Sequence, residues 1–201
     1  EYNNFLLRVK DHEHNVGKCQ RCGTTIEPLL SEQWFVKMAP LAKEAIAAVK
    51  DERIKFIPQR WEKDYLGWME NIRDWCISRQ RDWGVPIAFF RDKTTGKPIF
   101  DTKVVEHIAT IFEEKGADAW WDLEVADLLV PNSGYEPEHL EKVMDILDVW
   151  FDSGSTWKAV LESDEYDSGA YPASMYLEGS DQHRGWFQSS LLVSTANNGI
   201  A

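Results

Sequence analysis

Glu178-Gly179-Ser180-Asp181-Gln182-His183-Arg184-Gly185 places five ionisable or amide side chains and two glycines in eight consecutive positions. A carboxylate beside an amide, as in Asp181-Gln182, offers the acceptors and donors that sugar hydroxyls need. Glu178 can accept from an ammonium or amide group, and Gly179 lets a ligand come close to the backbone. The plainer alternative is a surface turn before a helix, with Ser180 or Asp181 as its N-cap. An apolar run, Ala173 to Leu177, precedes the stretch, and a helical pattern of Trp186, Phe187, Leu191 and Leu192 follows it. This is the order strand, polar loop, helix, and open α/β sheets bind nucleotides at the carboxyl ends of their strands.

Two further motifs carry chemistry. In Val149-Trp150-Phe151-Asp152-Ser153-Gly154 the indole of Trp150 stands just before a polar turn, where it either fills core or walls a pocket. In Asp74-Trp75-Cys76-Ile77-Ser78-Arg79-Gln80-Arg81-Asp82-Trp83-Gly84, Arg79 and Arg81 can contact phosphate or an RNA backbone, or pair with Asp74 and Asp82. Cys76 has no neighbouring His and reads as a small buried hydrophobe rather than a nucleophile. Cys19-x-x-Cys22 is half of a tetrahedral zinc set. His12 and His14 are conceivable completing ligands, and an unmetallated turn is the alternative. His139 reads as a solvated residue at a helix start, and His107, in an amphipathic helix, as surface or boundary.

The elements that position these groups follow from periodicity. Residues 3–37 are strand-like and turn-rich around the Cys pair. Helices are expected over Pro40–Lys50, Trp61–Ile72 and Lys103–Lys115, the last facing inward through Val105, Ile108, Ile111 and Phe112 and ended by Gly116. Short strands are expected at Ile54–Pro58, Val85–Phe90 and Ala173–Leu177, and Met144–Phe151 leads into a strand–turn–helix junction. Trp120-Trp121 falls in an irregular segment. Strands and helices alternate from about residue 84, a mixed α/β pattern.

Composition sets limits. The 201 residues are 43% hydrophobic with ten Trp, enough for a sizeable core. Three Cys do not make a disulfide scaffold and fit a reducing compartment. No apolar run approaches the ~18 residues that span a membrane. A soluble, cytoplasmic protein is expected, and the chain reads as cut from something longer. Net charge is −12, uneven along the chain: +1 over residues 1–83 and −13 over residues 84–201. An acidic surface argues against strong unaided nucleic-acid binding, which needs a basic footprint.

The three polar motifs, in this order, resemble the catalytic core of class I aminoacyl-tRNA synthetases of the isoleucine, valine and leucine group. From Trp75 onward the resemblance is to isoleucyl-tRNA synthetases. It is carried by Trp75-Cys76-Ile77-Ser78-Arg79-Gln80-Arg81-Asp82-Trp83-Gly84-Val85-Pro86-Ile87, by Leu147-Asp148-Val149-Trp150-Phe151-Asp152-Ser153-Gly154-Ser155, and by Tyr176 to Phe187. Before Trp75, the stretches Val16–Thr24, Ile26–Val36 and Trp68–Trp75 resemble valyl-tRNA synthetases more. A second Cys pair follows the shared motif in the valyl pattern, but Ala88-Phe89-Phe90-Arg91-Asp92 stands there in this sequence.

The resemblance implies part of a Rossmann-type catalytic domain with a small Cys-pair knuckle near the N-terminus. Residues 1–38 would be a strand-rich junction after an absent editing insertion. Residues 39–201 would be a portion of the catalytic domain, with 91–146 as a connecting insertion. It implies Glu178 near the amino group of an aminoacyl-adenylate, Gly179, Asp181 and Gln182 along its ribose, and Trp150 and Trp186 as walls for the amino-acid side chain. It implies as partners L-isoleucine, ATP with magnesium, and tRNA, with Arg79 and Arg81 as candidate tRNA or phosphate contacts and zinc at Cys19 and Cys22 the less favoured addition. The family's His-Ile-Gly-His and Lys-Met-Ser-Lys-Ser motifs, which handle the ATP phosphates, do not occur in this sequence. The chain is therefore expected to be inactive by itself. A valyl enzyme fragment, and a non-catalytic module holding the tRNA acceptor stem, are the alternative readings.

Overall fold

A computed structural model of the chain describes residues 5–166 and 171–199. The chain divides into two compact units, Glu1–Glu32 and Gln33–Ala201. In the first, Lys18 bridges Thr25 in antiparallel sense. The Ile26 amide donates to the Gly17 carbonyl (2.9 Å), the Cys19 amide to Thr24 (2.8 Å) and the Gly23 amide back to Cys19 (2.8 Å). The turn closes because Gly23 takes φ 73°, a conformation costly for a residue with a Cβ.

Cys22 is exposed at this turn. Its thiol lies 3.2 Å from the Thr24 hydroxyl. The hydrogen bonds from Thr24, side chain first, lower its pKa to about 7. Since the thiolate is the nucleophile, the alkylation rate of Cys22 by iodoacetamide is expected to rise through a midpoint near pH 7, and Thr24→Val should move that midpoint upward. A midpoint at the ordinary thiol value of about 8.5 would contradict the assignment.

In chain order the second unit runs β1 (Phe35–Val36), α1 (Met38–Lys50), α2 (Trp61–Glu70), β2 (Trp75–Cys76), β3 (Ser78–Arg79), β4 (Phe90–Asp92), α3 (Thr102–Lys115), α4 (Ala119–Asp122), α5 (Val125–Leu128), β5 (Leu140–Lys142), β6 (Ile146–Leu147), α6 (Val149–Gly154) and α7 (Trp186–Asn198). Among the described residues the strands form three two-stranded antiparallel ladders, β1 with β2, β3 with β6 and β4 with β5. The parallel sheet of a Rossmann arrangement is not formed among them. Ala173–Leu177 does not pair as a strand, and Met175 and Leu177 are 77% and 82% exposed. A strand is stable only when its backbone groups find partners, and among the described residues no segment pairs with it. Ile54–Pro58 is likewise not a strand, and Ile57 is exposed.

Two cores hold the unit. In the first, Met38, Ala42, Ala45 and Val49 fall on one face of α1 and pack with Tyr65 and Met69 of α2 and Leu192 of α7. The Tyr65 hydroxyl donates to the Ala45 carbonyl (2.9 Å), and burial raises its pKa to about 12. Helix α1 begins two residues earlier than the periodicity suggests, because the Asp74 carboxylate accepts from the Met38 amide (3.1 Å).

The second core joins Phe90, Val104, Ile108, Trp120, Leu128, Leu129 and Leu140. Helix α3 is capped at its start by Asp101, which accepts from the Lys103 amide (2.9 Å), and ends at Gly116 with φ 81°. Ile108, Ile111 and Phe112 face the core as expected, but Val104 is buried there in place of Val105, which is 39% exposed. Trp120 lies in a one-turn helix rather than an irregular segment and is fully buried. Lys142 holds that turn by donating to the carbonyls of Trp120 (2.8 Å) and Leu123 (2.9 Å), where a helix C-terminus favours a cation.

Candidate functional site

The segment Trp75–Arg79 sits between two ladders. Phe35 and Val36 pair with Cys76 and Trp75, while Leu147 and Ile146 pair with Ser78 and Arg79. A side-chain network fixes it further. The Ser78 hydroxyl donates to Gln33 Oε1 (2.7 Å) and accepts from the Trp34 amide (2.9 Å), and Gln80 Nε2 bridges Gln33 Oε1 and Asp145 Oδ1 at 3.0 Å each. Gly84 is required where the strand leaves this segment: its φ is 151°, and a Cβ there would run into the Ile146 side chain.

Asp148 is the centre of this region. It is 5% exposed. Its Oδ2 accepts from Trp75 Nε1 (2.9 Å) and from Arg79 Nη2 (2.7 Å), and its Oδ1 accepts from the Trp150 amide (3.3 Å) at the start of α6. Arg79 donates also to the carbonyls of Cys76 (2.9 Å) and Ser78 (2.8 Å). Burial, and then the nearby Asp148 charge, raises the pKa of Asp152.

Helix α6 carries Trp150, which is 42% exposed. Its other end lies against α7. A Cβ on Gly154 would stand 3.0 Å from the backbone carbon and oxygen of Ser189. Trp186, at the start of α7, donates from Nε1 to the Ser153 carbonyl (2.9 Å) and stacks on Tyr176 with ring centroids 4.4 Å apart. The two tryptophans are thus placed by one helix crossing. Trp150 Cη2 lies 3.2 Å from where a Cβ on Gly185 would be. Beside it opens a cavity of about 380 Å³ lined by Trp75, Arg79, Trp150, Arg184, Gly185 and Ser189 among others.

The loop Ser180–Arg184 is a 3₁₀ turn. Gln182 Oε1 accepts from the Trp186 amide (2.7 Å), and Gln182 Nε2 donates to Asp181 Oδ2 (2.9 Å). The capping role at α7 therefore falls to Gln182, and not to Ser180 or Asp181. Glu178, Gly179 and Asp181 are exposed. His183 stacks on Trp61 (6.3 Å between centroids), and the Arg184 guanidinium lies 3.4 Å from the centroid of Trp68, a cation–π contact that ties the loop to α2.

The structure brings Gly185, Trp150, Trp186 and Gln182 together at the start of α7. Arg79 lines the same cavity with its guanidinium donating to Asp148, and Arg81 is exposed two residues further on. Cys19 and Cys22 lie in the first unit. Among the described residues no three His, Cys, Asp or Glu side chains converge in a way that could hold a metal ion, so His12 and His14 do not complete a set with the Cys pair. The site residue that motif reading passes over is Asp148. Its signal was an Asp two positions before a Trp at a helix start, the spacing of an N-cap. No helix among the described residues is long and apolar enough to cross a membrane.

The family model for tRNA synthetases class I (I, L, M and V) matches residues 4–201. The chain is 58% identical to an isoleucine–tRNA ligase of Campylobacter curvus over 201 residues, covering 98% of this chain and 22% of that protein. It is also 58% identical to one of Campylobacter concisus, with the same coverage. To one of Aliarcobacter butzleri it is 53% identical, covering 100% of this chain and 22% of that protein. The chain thus spans about a fifth of the length of the relatives it matches. Because the similarity to isoleucine–tRNA ligases runs through the residues before Trp75 as well, the valyl-like reading of that part is not upheld. With the family model matched over nearly every residue, this chain belongs to the class I tRNA synthetases.

Proposed function

We propose that this chain is the segment of an isoleucine–tRNA ligase that supplies the amino-acid and ribose side of an aminoacyl-adenylate pocket in a Rossmann-type domain. The observation that carries this is 58% identity to an isoleucine–tRNA ligase over 98% of the chain, running through all three polar motifs. In this reading the whole protein activates L-isoleucine: its carboxylate attacks the α-phosphate of magnesium-bound ATP, pyrophosphate leaves, and a hydroxyl of the tRNA 3′ end then attacks the acyl carbon of the adenylate, releasing AMP. Such chemistry rests on orientation and charge stabilisation rather than covalent catalysis. Glu178 accepts from the substrate ammonium, Gly179, Asp181 and Gln182 meet the ribose, and Trp150 and Trp186 wall the side-chain pocket. Rigid indoles exclude larger side chains sterically, whereas one missing methylene changes binding by only about 1–3 kcal/mol.

Arg81, exposed, carries the tRNA or phosphate contact in this reading. Arg79 joins it only with the part of its guanidinium not turned to Asp148. The boundary near residue 38 and the insertion over residues 91–146 belong to the same proposal, and the separate core around Trp120 supports the latter. Zinc at Cys19 and Cys22 has no supporting ligand set and plays no part in it.

The test uses the full-length ligase carrying this segment. Glu178→Ala and Asp181→Ala should each weaken binding of a non-hydrolysable isoleucyl-adenylate analogue by about 10- to 100-fold, the range for losing a hydrogen bond to a charged group. Unchanged affinity in both variants would overturn the assignment.

A further inference from the structure

Asp148 has no place in the pocket proposed above, yet its geometry bears on that pocket's shape. It is a buried carboxylate at the point where the Trp75–Arg79 segment meets the start of α6. One oxygen receives the indole N–H of Trp75 and the guanidinium of Arg79, 73 and 69 residues away in sequence. The other receives the amide of Trp150. A charge this buried is tolerated because its lone pairs are occupied by donors and one donor is cationic. The same atoms therefore fix the Trp75–Arg79 segment and the first turn of α6 to one another.

Helix α6 has only six residues, so it has little stiffness of its own. Its far end is set by the contact of Gly154 with Ser189 and by the Trp186 indole on the Ser153 carbonyl. Its near end, where Trp150 projects, is set by Asp148. Without the carboxylate, the Trp150 amide, Trp75 Nε1 and Arg79 Nη2 lose a common acceptor. The Arg79 charge then faces the cavity that Trp150 also lines.

We infer that Asp148 is a positioning residue for amino-acid selection: it holds the Trp150 wall through α6 and touches neither substrate nor reacting atoms. This rests on the isoleucine-activating reading given above. The consequence is selective. Loss of Asp148 should alter recognition of the amino-acid side chain and leave recognition of ATP nearly untouched. A residue needed only for folding would instead reduce the amount of active protein and leave the Michaelis constants of the remainder unchanged.

The experiment is isoleucine-dependent pyrophosphate exchange by the full-length ligase. Asp148→Asn keeps the volume and removes the charge, and Asp148→Ala removes the acceptors. Arg79→Ala tests the link from the other side. KM for isoleucine should rise by about tenfold or more in Asp148→Ala and less in Asp148→Asn. KM for ATP should stay within twofold, and the preference for isoleucine over valine should fall. Arg79→Ala should reproduce the shift, and the double variant should be no worse than the poorer single one, because contacting residues in one network are not additive. If Asp148→Ala does not fold, Asp148→Asn decides. An isoleucine KM within twofold of wild type in the folded variants, or an equal rise in the ATP KM, overturns the inference while an active wild type preserves the functional reading. A wild type that does not exchange pyrophosphate with isoleucine overturns both.

Discussion

Gly154→Ala is expected to destabilise the chain by about 1–3 kcal/mol, although alanine is the better helix former. The new methyl would stand 3.0 Å from the backbone carbon and oxygen of Ser189 and 3.1 Å from its Cβ. Those atoms belong to the 13-residue helix α7, whose backbone cannot step aside locally. Helix α6 would have to move instead, and with it Trp150 and the Ser153 carbonyl that receives the Trp186 indole. Propensity offers little in return, because Gly154 is the last residue of its helix. Gly67→Ala is the matching control. Gly67 lies inside α2 with nothing within 4 Å of its would-be Cβ, and the change should stabilise by about 0.5–1 kcal/mol. Urea unfolding of the two variants checks the pair, and destabilisation by Gly67→Ala with none by Gly154→Ala would refute the crossing argument.

Trp120→Ala should cost more, about 3–5 kcal/mol. The indole is fully buried, packs on Phe90 with centroids 5.2 Å apart, and donates from Nε1 to the Val143 carbonyl (2.9 Å). Truncation leaves both a void and an acceptor without its donor. Trp120→Phe separates the two, since it fills most of the space and loses only the N–H. Its cost should fall to about 1–3 kcal/mol. The midpoint and slope of urea unfolding distinguish the cases. A loss below ~1 kcal/mol for Trp120→Ala would mean that the core around α3 contributes little to the cooperative unit.

The helices were legible because their apolar spacing is long and regular. Leu41, Ala45, Ile46 and Val49 recur at helical spacing within α1, and a capping Asp and a closing Gly bracket α3. On α3 the spacing places Ile108, Ile111 and Phe112 inward but does not separate Val104 from Val105, both apolar, and only the packing partner decides between them. Trp120 escaped periodicity because its helix is a single turn. Strands fared worst. Ala173–Leu177 has the composition of a buried strand, but strand formation depends on another segment's backbone, which no local pattern reports. The loop Glu178–Gly185 and Trp150 could be picked out by residue type alone. Asp148 could not, because its importance lies in donors some seventy positions upstream.

The bond between Gln182 Nε2 and Asp181 Oδ2 bears on how any hydroxyl-bearing ligand meets this loop. That one bond leaves lone pairs on the Asp181 carboxylate and the second Nε2 hydrogen of Gln182 available, so it orients the two groups without using them up. Gln182 Oε1 is meanwhile held by the Trp186 amide, so the amide plane cannot swing freely. Donors and acceptors are thus aligned along one edge at the start of α7 before anything binds there.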